Sequence, residues 1–364
     1  MILDISTWLI QGHKEDAMKQ KKKSYLPLFL MLAVLLLLFS MGSVTMGDAA
    51  IRVDETIAIL WHKLLTLLGL AQGQGGSKEI ILFNIRIPRI LTAIFAGAGL
   101  AGVGCAYQGV FRNSMADPYI LGISSGATLG AALAISLGIN ESVAGFGAVT
   151  LAAFAGALAS TFLVYSLAMR RSRTSMTSLL LSGVAVSYFL SSIVSLILVF
   201  DEQNVSKIVY WTMGSLASVS YLQIAILAPV VILGSFLLYS NWRELDILTS
   251  GEEVARSLGV ETERVKIRIL IYSSLIVAVC VAFTGVIGFV GLMMPHIMRM
   301  IVGPSHKRLI PFAMISGSIF LLVADTIARS LIDGAELPVG AVTALFGAPY
   351  FIWLLARSRG GEKS

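Results

Sequence analysis

Long uncharged stretches alternate along this chain with short charged connections. Ser24–Gly47, Ile90–Phe111, Tyr119–Asn140, Ser142–Met169 and Thr174–Phe200 carry no charge. Val205–Ser240 is interrupted only by Lys207 and contains one span, over about Tyr221–Ser240, after an outer segment with Tyr210 and Trp211. At 1.5 Å per residue, a run of ~20 apolar residues crosses a ~30 Å hydrocarbon core. A further span runs to about Thr284, where Gly285, Gly288 and Gly291 break it. Leu292–Ile301 then reads as a short half-helix returning to the side it came from, and Leu309–Ala324 and Ala341–Ala356 complete a set of about ten membrane segments. Ser24–Gly47 reads as a first span, because a cleaved signal has a shorter apolar core and a small-x-small site.

Two stretches break the pattern. In Asp54–Gly69, Ile57, Leu60, Trp61, Leu64, Leu65 and Leu68 recur at the spacing of one helical face, while His62 and Lys63 lie off it. This stretch is too short to span and predicts an amphipathic helix lying in the outer interface. Asn241–Arg268 carries Arg243, Glu244, Asp246, Glu252, Glu253, Arg256, Glu261, Glu263, Arg264, Lys266 and Arg268 between long apolar runs. It is too long for a mere connection and predicts a surface that meets a soluble partner. Within it, Val254, Ala255 and Leu258 fall on one helical face, Ser250 and Glu253 have capping-box spacing, and Gly259 is placed to end the helix.

The composition agrees with this reading. The 364 residues are 56% hydrophobic and 13% charged, against about 25% charged in a soluble domain. The net charge of +6 fits basic residues flanking membrane spans on one side and does not imply nucleic acid. With ten segments and both termini inside, the cytoplasmic pieces hold 20 of the 27 basic residues. These are Lys14, Lys19, Lys21, Lys22, Lys23, Arg112, Arg170, Arg171, Arg173, Arg243, Arg256, Arg264, Lys266, Arg268, Arg299, Lys307, Arg308, Arg357, Arg359 and Lys363. Nine segments would put Arg357 and Arg359 outside, against the positive-inside bias. The expected layout is a tail over 1–24, one membrane domain over 25–357 and a tail over 358–364.

Chemistry of its own is hard to place on this chain. It contains no phosphate loop of the GxxxxGK type, so the chain is not expected to hydrolyse nucleotide itself. Gly73, Gly75, Gly76 and Lys78 have the wrong spacing for one and follow no strand. No HExxH motif or cysteine cluster offers a metal site, and no cofactor is expected; Cys105 and Cys280 sit in apolar runs as small buried side chains. His296, with Arg299 one turn on, reads as a hydrogen-bonded histidine near a membrane face. Gly122, Ser124 and Gly126 match GxSxG, but they open a membrane helix without a sheet, so small-residue helix packing explains them better than a hydrolase elbow. Asp325 and Arg329 are spaced to pair at the outer end of a span, and Arg86 and Arg89 flank Pro88 at the outer start of another. Charges at that depth are functional candidates. An ATP-independent secondary transporter would need carboxylates lining an ion path, and Asp325 is the single carboxylate near a span that such a path has.

Several long motifs, in order, point further. Arg86–Ala131 (RIPRILTAIFAGAGLAGVGCAYQGVFRNSMADPYILGISSGATLGA), WTMGSL at Trp211–Leu216, GEEVARSLGV at Gly251–Val260, GFVGLMMPHIMRMIVG at Gly288–Gly303 and Ala324–Arg357 closely resemble the FecCD family. Its members are permease subunits of ATP-driven importers of iron–siderophore complexes, haem and cobalamin. The resemblance implies an all-α polytopic fold, that of a type II ABC importer permease, with ten membrane helices per subunit. It further implies a homodimer with its pathway at the dimer interface, two cytoplasmic ATPase subunits and an extracytoplasmic substrate-binding protein. Glu252, Glu253, Ala255, Arg256, Leu258 and Gly259 then fall in the region that couples to the ATPase. Asn113 and Met115, with Ser175, Met176 and Thr177, match loops narrowing the cytoplasmic end. Arg86, Arg89 and Arg329 match outer arginines that meet acids of the binding protein. One departure stands out. Where the family usually has RNPLADP, this chain has RNSMADP, which removes a stiffening proline at Ser114. Iron–siderophore is the expected ligand because it is the broadest class, with haem and cobalamin as alternatives.

Overall fold

A computed structural model describes residues 24–47, 51–70, 76–139, 142–143, 146–170, 173–332 and 334–361. The expected tail over 1–24 lies outside these residues apart from Ser24, as do Gly73, Gly75, Arg171 and Lys363. Fourteen helices are present among the described residues. The first are α1 (Leu26–Thr45), the amphipathic α2 (Val53–Leu67) and α3 (Ser77–Val110), which widens to a π-helix over Ile81–Arg86. Next come α4 (Ile123–Ser136), α5 (Ala148–Ala168), α6 (Met176–Phe200), the short α7 (Val205–Thr212) and α8 (Tyr221–Ser240). The chain ends with α9 (Trp242–Thr249), α10 (Glu252–Ser257), α11 (Thr262–Thr284), α12 (Val290–Val302), α13 (His306–Ala328) and α14 (Val339–Gly361). Two-residue hairpin strands, Ser142–Val143 with Phe146–Gly147 and Met169–Arg170 with Arg173–Thr174, close the turns at either end of α5.

Seven helices (α1, α3, α5, α6, α8, α11 and α13) have the length and composition to cross a bilayer, and α4, α12 and the Val339–Leu354 part of α14 are shorter apolar helices. Together they are the ten segments read from the sequence. The segment expected over Tyr119–Asn140 is shorter than anticipated. Residues Tyr119–Gly122 are turns, Gly122 adopts φ 73°, and the helix begins only at Ile123. The last helix runs on to Gly361, beyond the end expected at Ala356.

The bundle is organised around α3, whose residues from Pro88 to Val110 are almost all buried. It packs against α8, α11, α12 and α13, while α4, α5 and α6 form a second cluster joined to the first through α11. Close approach at two points of α3 depends on glycine. A Cβ on Gly97 would collide with the Gly317 carbonyl of α13, and one on Gly104 with the Gly291 carbonyl of α12. In lipid, helices associate through such van der Waals contact rather than by hiding apolar surface from water. The GxSxG glycine behaves in the same way, since Gly126 of α4 meets the Gly156 carbonyl of α5. Introducing a side chain here overpacks the core at a cost of about 1–3 kcal/mol or more. Gly104→Val is therefore expected to lower the thermal unfolding midpoint of the detergent-solubilised protein, and an unchanged midpoint would refute this packing.

Candidate functional site

The charged stretch after α8 folds as a helix pair held against the ends of the membrane helices. Asn241, buried, donates from Nδ2 to the Leu237 carbonyl (2.7 Å), and α9 then turns Leu245 and Leu248 inward. Asp246 ties α9 to the start of α13. Its Oδ2 accepts from the Ser305 hydroxyl (2.8 Å), and its Oδ1 accepts from the His306 backbone N–H and lies 2.7 Å from His306 Nδ1. Burial pushes this carboxyl up, but the bonds from His306 and Ser305 outweigh that and hold it below the usual carboxylate range. The tie is therefore fully present above the ordinary carboxylate pKa, ~3.9, and is lost as pH falls through the lower value held in the fold.

The short α10 opens at Gly251 (φ 120°), so Ser250 is not its cap; Ser250 instead ends α9. Gly259 (φ 82°) ends α10 as expected, with Val260 N–H donating to the Ala255 carbonyl (2.9 Å) and Gly259 N–H to that of Arg256 (3.0 Å). The expected apolar face splits. Ala255 is buried, whereas Val254 and Leu258 are 45% and 65% exposed. Glu252 faces the protein. It lies 2.6 Å from Lys266 of α11, which is only 1% exposed, and 3.4 Å from Arg256. The outward surface of the pair is thus Glu253, Val254, Ser257 and Leu258.

At the other end of the bundle the three arginines expected on the surface are buried. Arg89 donates through Nε to both Asp325 carboxylate oxygens (2.8 and 3.0 Å) and through Nη1 to both of Glu336 (2.8 and 2.9 Å). Arg329 Nε is farther from Asp325, at 3.7 Å, so the expected Asp325–Arg329 pair is secondary to Arg89. Arg329 instead donates to the Ser43 and Met46 carbonyls, and Arg86 to that of Val44. These carbonyls end α1, whose last turn has no partners of its own. The arginines fasten α1 to α3 and α13.

Between α11 and α12 the chain leaves the helix while still deep in the bundle. Gly285 (φ 66°) and Phe289 (φ 69°) bracket the break. Unpaired backbone at membrane depth is costly, so protein groups must satisfy it. Tyr119 does so, its hydroxyl donating to the Ile287 carbonyl (3.0 Å) and accepting from the Ile287 N–H (3.2 Å). Ser215 N–H donates to the Thr284 carbonyl (2.8 Å). Nothing in the sequence pattern singled out Tyr119.

The residues matched to a gate lie at the ends of helices on the side of α9 and α10. Asn113 Oδ1 accepts from Met115 N–H (2.9 Å), and Ala116 N–H reaches the Asn113 carbonyl (3.0 Å). This Asx-type turn holds the loop that lacks the usual proline. Met115 is exposed, and Ser175 caps α6 ahead of Met176 and Thr177. His296 is packed against Tyr350 and Phe351, and Arg299 bonds Gln108 (3.1 Å). Ser124 and Ser125 sit in the first turn of α4, and Cys105 and Cys280 are free and buried.

A model described as the FecCD transport family matches residues 32–357. The chain belongs to the FecCD transport family. Among related permeases, the cobalamin import system permease protein BtuC of Halobacterium salinarum is 43% identical over 86% of this chain and 84% of its own length. The hemin transport system permease protein HmuU of Yersinia pestis is 35% identical over 90% and 95%, and the Fe(3+)-citrate import system permease protein YfmE of Bacillus subtilis 35% over 92% and 96%. A solved metal-chelate type ABC transporter in an inward-facing conformation superposes with a TM-score of 0.79 at 32% identity, covering 92% of this chain and all of that one. As a FecCD member this chain is a multi-pass membrane permease of the ABC importer type.

The outer cluster of this FecCD permease yields a direct test. Asp325 is fully buried, and removing one partner of a buried pair costs about 3–5 kcal/mol. Arg89→Met is expected to destabilise the detergent-solubilised protein by that amount, and Arg89→Met/Asp325→Leu to recover most of it. A single variant as stable as the parent would remove the cluster from the account.

Proposed function

We propose that this permease forms a homodimer with two cytoplasmic ATPase subunits and an extracytoplasmic binding protein, and imports a metal–organic complex. The observation that carries this reading is the cytoplasmic helix pair. It presents Glu253, Val254 and Leu258 outward on a backbone tied to the membrane helices, in a chain that has no phosphate loop. Two apolar side chains at i, i+4 beside a carboxylate suit a groove on a soluble partner. Asn113, Met115, Ser175, Met176 and Thr177 narrow the inner end of the pathway. On the outer side a docking carboxylate reaches Arg89 by displacing Glu336, whose side chain is 44% exposed.

Identity of 43% to the cobalamin permease, against 34–35% to the haem, iron–citrate and iron–hydroxamate relatives, moves cobalamin ahead of the iron–siderophore first expected. An ATP-independent transporter loses its support, since Asp325 is held by Arg89 and Arg329 rather than open to an ion path.

The test is uptake into proteoliposomes holding the permease with its ATPase and binding protein, using cyanocobalamin, haemin and a ferric siderophore. ATP-dependent accumulation of cyanocobalamin is expected, and Leu258→Asp is expected to abolish association with the ATPase without removing the permease from the membrane. Uptake driven by an ion gradient without the ATPase would contradict the reading.

A further inference from the structure

Lys266 is among the largest fully buried side chains of the protein and sits in the first turns of α11, at the level of the cytoplasmic helix pair. An ammonium with 1% exposure is stable only when paired. Its partners are Glu252 of α10 at 2.6 Å and Glu263 of α11 at 3.2 Å. The Glu263 contact is internal to α11 and would hold the charge by itself. The shorter contact joins two helices, and Arg256 reinforces it from the α10 side, 3.4 Å from Glu252 and 3.9 Å from Glu263. The opposite face of α10 carries the exposed Val254 and Leu258. One turn of helix thus has a partner-facing side and a side fixed to a membrane helix by an ion pair whose lysine is buried.

The helix on the other side of the pair leads inward. At 23 residues, α11 extends ~34 Å and is buried along much of its length. It ends at Gly285, where the broken segment held by Tyr119 begins.

We propose that Lys266 is a positioning residue, and that the Glu252–Lys266 pair carries displacement of α10 into α11 and so to the break at Gly285–Phe289. Glu252 then acts inward through Lys266 and makes no contact with the ATPase. This inference rests on reading α10 as the ATPase-facing helix.

The test uses the complete reconstituted complex and measures three quantities: association of permease with ATPase, ATP hydrolysed, and substrate accumulated per ATP. In Glu252→Gln, Lys266 keeps Glu263, so the buried charge stays compensated. This variant is expected to bind the ATPase as the parent does while substrate moved per ATP falls about tenfold, within the usual range of coupling between sites. Lys266→Met is expected to show the same loss, and Glu252→Gln/Lys266→Met no more than either single change, because the two act as one contact. The inference is overturned if Glu252→Gln weakens ATPase association, if substrate per ATP is unchanged, or if the two losses multiply. Should Lys266→Met fail to reach the membrane, Glu252→Gln alone decides. A parent complex with no ATP-driven uptake would end the proposed function and this inference with it, whereas parent uptake with a normal Glu252→Gln would end only the inference.

Discussion

Gly97 meets Gly317, and Gly104 meets Gly291, so closely that neither pair leaves room for a Cβ. These contacts bring α13 and α12 onto α3 backbone to backbone, and the remaining helices are placed by where α3 stands. In a bilayer there is no water to drive apolar surfaces together, so depth of contact is what holds helices. The same closeness sets the position of the half-helix α12. Its carbonyl at Gly291 sits against α3, and the non-helical stretch before it has to pass through the bundle.

That passage leaves backbone groups unpaired inside the bundle, and buried charges lie at its two ends; the main ones among them have partners. Tyr119 takes both backbone groups of Ile287. Arg89 takes Asp325, and Arg86 and Arg329 take the last carbonyls of α1. Lys266 takes Glu252 and Glu263. Each of these contacts joins elements far apart in sequence, apart from those of Lys266, whose partners lie on its own helix and the one before it. The buried polar groups therefore act as ties at the two ends of a tightly packed bundle, one end fastening α1 and the other fastening the α9–α10 pair to α11 and α13.

Much of this was legible beforehand. The uncharged runs located ten segments because the length of a span is set by bilayer thickness, and the spacing of Ile57, Leu60, Trp61, Leu64 and Leu68 identified α2, where all five side chains are exposed. Gly259 was read correctly as a helix end because a residue with positive φ favours glycine. Local spacing misplaced Ser250, which ends α9 instead of capping α10. Spacing also gives no sign that Arg86, Arg89 and Arg329 are buried, or that Lys266, fourteen positions after Glu252, pairs with it, because tertiary partners decide where a charge goes. Tyr119 gave no periodic signal at all, since its role exists only where two distant segments cross.

The central proposal is that the α9–α10 pair moves when a partner subunit binds ATP and returns after hydrolysis. Spin labels at Ser257→Cys, an exposed position on α10, would report the distance between the two copies in the assembled complex. The account predicts one distance without nucleotide and a different one with ATP bound, returning after hydrolysis. An unchanged distance in a complex that is still importing substrate would contradict it.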